Sequence, residues 1–304
     1  MIKRRSFLTL STSVALSSLL PLRLWAGTTA KLGGLRIDTL SDGNLVLPPA
    51  FAFADIDPAL VEAAIARHGL DPNELTPPCN VTLLRDGTRT ILFDVGSGTE
   101  FMPSAGKLPE ALDVLGVTPE EITDVVFTHG HPDHLWGLLD DFDEPVFPDA
   151  NFYMGAKEYA YWTDPETVNQ IGEARASFAV GAARRLEAIA DRINQIEDGD
   201  VILDKIKARL TPGHTPGHLS FEIGGDEKLM IIGDAIGNHH IAFDAPKQPL
   251  PSDQAPDEAA ETRAALLGEL ADSGMAIVGF HLPEGGIGKV ERDGEGYKFV
   301  ASSD

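Results

Sequence analysis

Cysteine is almost absent: the 304 residues carry one, Cys79. A single thiol leaves no intramolecular disulfide, so the fold does not depend on oxidation. Cys79 sits in Pro77-Pro78-Cys79-Asn80 and reads as a small residue at a strand start, not as a nucleophile. Basic charge is scarce too, with 24 Lys and Arg against 47 Asp and Glu and a formal net charge of -23. A surface of that sign repels phosphate, which excludes nucleic acid as an electrostatically steered partner. Long apolar runs are missing as well. Nowhere do about 18 apolar residues follow one another, so no membrane-spanning helix is expected. What is present is a chain that is 43% hydrophobic, enough for a full core in one large domain or two small ones.

Residues 1–26 read as an export signal and 27–304 as the folded domain. Lys3, Arg4 and Arg5 make a positive start, an apolar, serine-flecked run extends to Leu20, and small residues at Ala26-Gly27 permit cleavage. Lys3-Arg4-Arg5-Ser6-Phe7-Leu8 resembles the twin-arginine export signal, which implies a periplasmic or secreted destination.

Beyond it, short apolar runs predict strands at Leu35–Leu40, Leu45–Leu47, Asn80–Leu84, Thr90–Phe93, Asp124–Phe127, Asn151–Met154, Ile206–Leu210, Leu219–Ile223, Lys228–Ile232 and Ala276–Phe280. A closing pair is predicted at Lys289–Arg292 and Tyr297–Val300. Ser41-Asp42-Gly43-Asn44 reads as a turn. Helices are predicted from Asp57-Pro58 to Gly69, at Pro109–Leu115, Ala156–Trp162, roughly Ile171–Asn194 and Pro256–Ser273. Thr118 and Glu121 stand at capping-box spacing. The Pro-rich stretch Ala245–Pro256 reads as a surface loop.

The chemistry is concentrated in Thr128-His129-Gly130-His131-Pro132-Asp133-His134. Three imidazoles and a carboxylate in so short a loop make poor packing material, yet they are the donors a divalent ion such as zinc prefers. Three further apolar strands also run into ligand-type residues: Leu210 precedes His214, Ile232 precedes Asp234, and Phe280 precedes His281. Ligands at strand ends are held by the sheet and presented at its rim. Together they make five His and two Asp, enough for two ions if one carboxylate bridges. His218, four residues after His214, reads as a hydrogen-bonding support for the ligands. His239 and His240 read as solvent-exposed, and His68 as a helix-end residue.

With these residues in view, the chain resembles the metallo-β-lactamase superfamily over essentially the whole of 27–304. The resemblance implies an α/β fold, an αββα sandwich of two mixed β-sheets flanked by helices. It implies that His129, His131 and His214 hold one metal, that Asp133, His134 and His281 hold a second, and that Asp234 bridges them. His134 and Asp234 stand where the best-known β-lactamases carry Arg and Cys, which argues against antibiotic hydrolysis. The similarity extends to methyl parathion hydrolase-like enzymes and related lactonases through Leu40-Ser41-Asp42-Gly43, His214-Thr215-Pro216-Gly217-His218 and the tail from Gly286 to Val300. That group lines its substrate pocket with aromatics, and Phe101, Trp162 and Phe178 fall at matching positions.

The expected function is a dinuclear metal-dependent hydrolase of small esters, lactones or organophosphate triesters. Its cofactors are two divalent ions, zinc first, with manganese, cobalt and iron as other candidates. Water activated between them attacks the carbonyl or phosphoryl centre, with Asp133 and Asp234 as the catalytic carboxylates. A glyoxalase II-like thioesterase, an iron-dependent redox member and an exported metal-binding protein without turnover are the rival readings. The expected partner is a small-molecule substrate, with no nucleic acid and no stable membrane association after signal cleavage; a homodimer is compatible with the chain. The export reading predicts that Arg4→Lys combined with Arg5→Lys leaves precursor in the cytoplasm, because the pair is read as an address and not as charge alone. Fractionation followed by immunoblotting checks this, and undiminished periplasmic accumulation of the double variant would refute it.

Overall fold

A computed structural model describes residues 26–302, apart from residue 226. The export-signal expectation therefore lies outside the described residues except at Ala26, where the first strand begins. One sheet contains β1 (Ala26–Leu32), β2 (Leu35–Asn44), β3 (Pro78–Arg85), β4 (Thr90–Phe93), β5 (Asp124–Val126), β6 (Asn151–Gly155) and β7 (Ile193–Ile196), in that spatial order. The other contains β8 (Val201–Ile202), β9 (Ile206–Leu210), β10 (Leu219–Gly224), β11 (Lys228–Gly233), β12 (Ala276–Gly279), β13 (Ile287–Asp293) and β14 (Gly296–Ala301). Both sheets are mixed. Strands β1 to β4 pair antiparallel and β4 to β7 parallel, while in the second sheet only β11 and β12 are parallel.

Three of the four parallel pairs are bridged by longer helices, since parallel neighbours need a crossover. Leu108–Leu115 lies between β4 and β5, Ala156–Thr163 and Ala176–Ala188 between β6 and β7, and Pro256–Ser273 between β11 and β12. The layering can be read from the two-residue period of the strands. Ile91, Phe93 and Val126 face the second sheet and meet Phe221, Ile231 and Val278, with the Phe93 and Phe221 rings 5.5 Å apart. Leu92, Val125 and Phe127 face outward onto Leu112 and Leu186 of the helices. In the second sheet Met230, Ile232 and Ile277 face outward onto Leu266, Leu267 and Leu270 of Pro256–Ser273. Strands covered on both faces read as unbroken apolar runs, which is how these appear in the sequence. The αββα sandwich is as expected.

Four local expectations are corrected. Ser41–Asn44 is the end of β2 and not a turn. The Asp42 carboxylate is buried there and accepts hydrogen bonds from the amides of Ser97, Gly106 and Leu108 at 2.8, 3.1 and 2.8 Å. Leu45–Leu47 forms only an isolated bridge, Leu47 to Leu75. The continuous helix over Ile171–Asn194 is interrupted by Gly172 at φ 92° and stops at Ala188, and its last predicted residues belong to edge strand β7. Ala245–Pro256 is partly interior, with Leu250 and Asp253 buried and the Arg263 guanidinium bonded to the carbonyls of Pro246 and Gln248.

Asp42→Ala should lower stability by roughly 3 kcal/mol, because three buried amides lose their acceptor together. Urea denaturation should show a lower midpoint at an unchanged slope. A wild-type midpoint would mean that the three-amide clamp is dispensable.

Candidate metal centre

The ligand-type residues gather at one rim of the sandwich. β5 ends at Val126, and Phe127-Thr128 leads to His129 and into a short helix, Pro132–Leu135, that carries Asp133 and His134. Pro132 opens that helix, where a missing amide hydrogen costs nothing. β9 runs into the Thr211–His218 loop, β11 stops one residue before Asp234, and β12 stops two residues before His281. β9 and β11 both pair antiparallel with β10, and β12 is parallel to β11, so the three point the same way. Their carboxyl ends therefore meet at one edge, the side on which such sheets present ligand sites.

All seven side chains are buried there. His131 Nδ1 lies 3.0 Å from His129 Nε2 and 2.9 Å from His214 Nε2. Asp133 Oδ2 lies 3.2 Å from His281 Nε2 and 3.4 Å from His134 Nε2. Asp234 stands between the groups. Its Oδ2 is 3.3 Å from both His214 and His281, and its Oδ1 is 3.4 Å from His134. Donors held at about 2.0–2.1 Å from a tetrahedral ion are about 3.3 Å from one another, which is the spacing seen. Asp133 Oδ2, His134 Nε2 and Asp234 Oδ1 are buried without a hydrogen-bond partner. Buried polar atoms left unpaired are costly, and a cation between them removes the cost. The donor set fits two divalent ions.

The electrostatics agree. Burial, reinforced by the neighbouring imidazoles, holds His129 and His131 well below the usual histidine pKa, in the neutral form that ligates. Burial also pulls on His134, but Asp133, Asp234 and Asp94 outweigh it and hold that imidazole well above its usual value. Cys79 lies beside Asp133 and His281, and burial pushes its thiol up to about 12. It stays protonated at neutral pH, in keeping with a packing role.

Each ligand imidazole is held by a partner at its other ring nitrogen, as metal-bound imidazoles require. His134 Nδ1 is 2.8 Å from Asp94 Oδ2, and Asp94 also accepts from the amide and hydroxyl of Thr128. Asp94 holds φ 63°, a left-handed backbone unusual for a side-chain-bearing residue; its three partners fix it there. His214 Nδ1 is 3.0 Å from Asp253, which is in turn paired with Arg263 at 3.1 Å. His281 Nδ1 reaches the Pro78 carbonyl at 2.8 Å, and Gln254 meets His131 Nε2 at 3.1 Å. His218 accepts from the Asp234 amide at 2.9 Å, the supporting place expected of it.

Sequence reasoning gave no role to Asp94, Asp253, Gln254 or Glu158. Glu158 is fully buried in Ala156–Thr163. Its carboxylate accepts from the Gly130 amide at 3.0 Å and the Trp162 indole at 2.6 Å through one oxygen. The other accepts from the Thr215 hydroxyl at 2.8 Å and the Gly217 amide at 2.9 Å. One side chain thus ties the His129–His131 loop to the His214 loop. A carboxylate at a helix start is a weak sequence signal, and nothing local marks this one.

A cavity of about 700 Å³ opens onto His131, Asp133, His214, Asp234 and His281. Phe101 and Phe178 line it as expected, their rings 5.9 Å apart, with Phe178 6.0 Å from His131. Trp162 does not line it. The indole is fully buried beneath Gly130, where a side chain would collide with it, and its N–H is committed to Glu158. His239 and His240 are not solvated but line the cavity, and burial lowers their imidazoles to about 4 and about 3.

Comparison with known proteins points to one family. The family model described as Metallo-beta-lactamase superfamily matches residues 76–271. A hydroxyacylglutathione hydrolase of Fuscovulum blasticum is 25% identical over 164 residues, 54% of this chain and 52% of that protein. The probable metallo-hydrolase YflN of Bacillus subtilis is 31% identical over 125 residues, 37% of this chain and 44% of that protein. Among solved structures, the hydrolase AbOPH is 29% identical at a TM-score of 0.83, covering 92% of this chain and 98% of its own. AidC, a dizinc quorum-quenching lactonase, is 25% identical at a TM-score of 0.86, covering 92% and 99%.

Glu158→Gln keeps the shape of the clamp but turns an N–H toward groups that are themselves donors. Zinc affinity should fall roughly ten- to hundredfold, the usual effect of removing a partner of the ligands, while the fold persists. Chelator competition with circular dichroism alongside checks this; wild-type zinc affinity in the variant would rule the clamp out.

Proposed function

Because the chain belongs to the metallo-β-lactamase superfamily, we propose that it is a dinuclear metal-dependent hydrolase of small esters, lactones or organophosphate triesters. The observation that carries this reading is the place of Asp234, whose two oxygens lie within 3.4 Å of ligands from both groups. His129, His131 and His214 would hold one ion, Asp133, His134 and His281 the other, and Asp234 both. Zinc suits the imidazole and carboxylate donors, and AidC is described as a dizinc enzyme. When bound, a pair of such ions acidifies water and polarises a carbonyl or phosphoryl oxygen.

The chain's own groups supply the rest. Asp133 turns Oδ2 toward His281 and His134 and has no hydrogen bond at its other oxygen among the described residues. That oxygen is free to orient the incoming water and to hand a proton to the leaving group. Phe101 and Phe178 hold apolar substrate bulk against the ligands and keep bulk water from that side of the cavity. No serine or cysteine nucleophile enters the reading, and Cys79 is sealed in the interior.

Two features weigh on the alternatives. A protein that only stored metal would have no use for an open cavity of about 700 Å³ at its ligands, which favours turnover. A thioesterase would use the same ligands, and the likeness to a hydroxyacylglutathione hydrolase keeps it as the second reading. Export remains part of the proposal on Lys3–Leu8 alone.

The purified protein should contain two equivalents of metal and hydrolyse at least one of a p-nitrophenyl ester, a lactone and a phosphotriester faster than a glutathione thioester. Asp234→Asn keeps the side-chain size, but its amide nitrogen cannot ligate; bound metal should fall toward one equivalent and most of the hydrolytic rate should be lost. Elemental analysis and initial rates on both proteins decide it. Two metals and full activity in the variant would remove the bridging role, and a thioester preference would transfer the chain to the second reading.

A further inference from the structure

In a chain with 47 acidic and 24 basic residues, an arginine rarely lacks a carboxylate neighbour. All the described arginines but two have one within 4.0 Å. Arg192, the first exception, donates to the carbonyls of Pro148 and Ala150 and packs 5.0 Å over the Phe152 ring. The second is Arg175. It gives one N–H to the Pro251 carbonyl at 2.6 Å, and its remaining donors have no protein partner among the described residues.

Its position gives that deficit a meaning. Arg175 ends the turn Glu173–Arg175 and leads into the helix Ala176–Ala188. It stands three residues before Phe178, so the two side chains project from the same side of the chain. Both line the cavity, and Arg175 is the one Arg or Lys that does. Phe178 in turn lies against the ring of His131. Pro251 belongs to the segment that brings Asp253 to His214 and Gln254 to His131, so the guanidinium is pinned to the element that aims two of the ligands. The cavity's other charged residues outside the ligand set, Asp71 and Glu74, are exposed on the stretch after the helix Pro58–His68 and make no ion pair with Arg175. Burial lowers the Arg175 pKa from the usual arginine value and outweighs the opposing pull of Asp253, which makes no ion pair with it within 4.0 Å.

We propose that Arg175 is an anion subsite of this cavity, and that preferred substrates carry a carboxylate on the acyl side of the bond that is cut. The proposal rests on the hydrolase reading and narrows its substrate class. A guanidinium offers a planar fork of N–H donors that matches a carboxylate, and the half-buried, largely apolar wall makes that pair stronger than it would be in water. Because Arg175 stands only one side chain from His131, the carboxylate should lie a few bonds from the scissile carbonyl. The apolar part of the acyl chain would then lie along Phe178 and Phe101.

p-Nitrophenyl hemisuccinate and p-nitrophenyl butyrate share a leaving group and a four-carbon acyl chain, and only the first ends in a carboxylate. The metal-loaded wild type should favour the hemisuccinate in kcat/KM. In Arg175→Met the ratio of the two kcat/KM values should collapse roughly ten- to hundredfold, mainly through KM for the hemisuccinate, the size expected for a lost charge-assisted hydrogen bond. Arg175→Lys should recover part of the ratio, since the charge remains without the fork. A fall on both esters with the ratio preserved would mean that Arg175 only pins the Pro251 segment, and would overturn the subsite. A metal-loaded wild type that prefers the butyrate would overturn the subsite and leave the hydrolase reading standing. A wild type that cleaves neither ester would overturn the subsite, and one that binds no metal, or that also leaves a lactone and a phosphotriester intact, would overturn both.

Discussion

Seven buried ligand side chains converge, and they do not fully satisfy one another. Imidazole nitrogens and carboxylate oxygens are turned inward at separations of 2.9–3.4 Å, and Asp133 Oδ2, His134 Nε2 and Asp234 Oδ1 find no hydrogen-bond partner among the described residues. Such an arrangement is stable only with positive charge at its centre, and its formation has to be forced by the surrounding chain. The rest of the structure can be understood as the means of forcing it. Loops supply the ligands, but sheets supply the directions: β9, β11 and β12 run the same way and deliver His214, Asp234 and His281 to one edge. β5 delivers the fourth loop from the facing sheet.

Holding that arrangement needs a further ring of interactions with low tolerance for error. Asp94 keeps a left-handed backbone at φ 63° so that one carboxylate can serve Thr128 and His134 together. Asp253 aims His214 and is itself held by Arg263 from the helix Pro256–Ser273. Glu158 joins two ligand loops through four hydrogen bonds, with no ion-pair partner among the described residues. Buried carboxylates of this kind are costly unless every acceptor site is used, so each is bound to its donors as tightly as they are bound to it. Rigidity at the centre is therefore inherited from residues that never reach the cavity.

The cavity has a simpler logic. Phe101, Phe178 and the aliphatic residues of its wall offer contact without direction, and on the proposed reading direction would come from the ligand rim and from Arg175. On the proposed reading, a site built this way would accept varied apolar bulk while holding the reacting carbonyl at one end. That breadth agrees with a fold whose relatives include a lactonase, a hydroxyacylglutathione hydrolase and AbOPH.

By itself the sequence determined the ligand types and their strand-end places, because these are local chemistry. His129, His131, Asp133 and His134 stand within six residues, and His214, Asp234 and His281 each follow a strand pattern, alternating in Ile206–Leu210 and apolar in Leu229–Ile232 and Ala276–Phe280. The alternation of Ile91, Leu92 and Phe93, or of Met230, Ile231 and Ile232, likewise carries the two-sided burial of a sandwich in plain view. Only the tertiary structure decided which polar residues stand behind the ligands. Asp94 lies 40 residues from His134, Asp253 lies 39 from His214, and Glu158 lies 28 from Gly130 and 59 from Gly217. Pairings at that range are made by sheet order and helix crossovers, not by spacing. For the same reason Trp162, Phe101 and Phe178 were indistinguishable as aromatics, yet one lies under Gly130 and two face the cavity. A side chain's type is written at its own position; its neighbours are written by every strand and helix that packs against it.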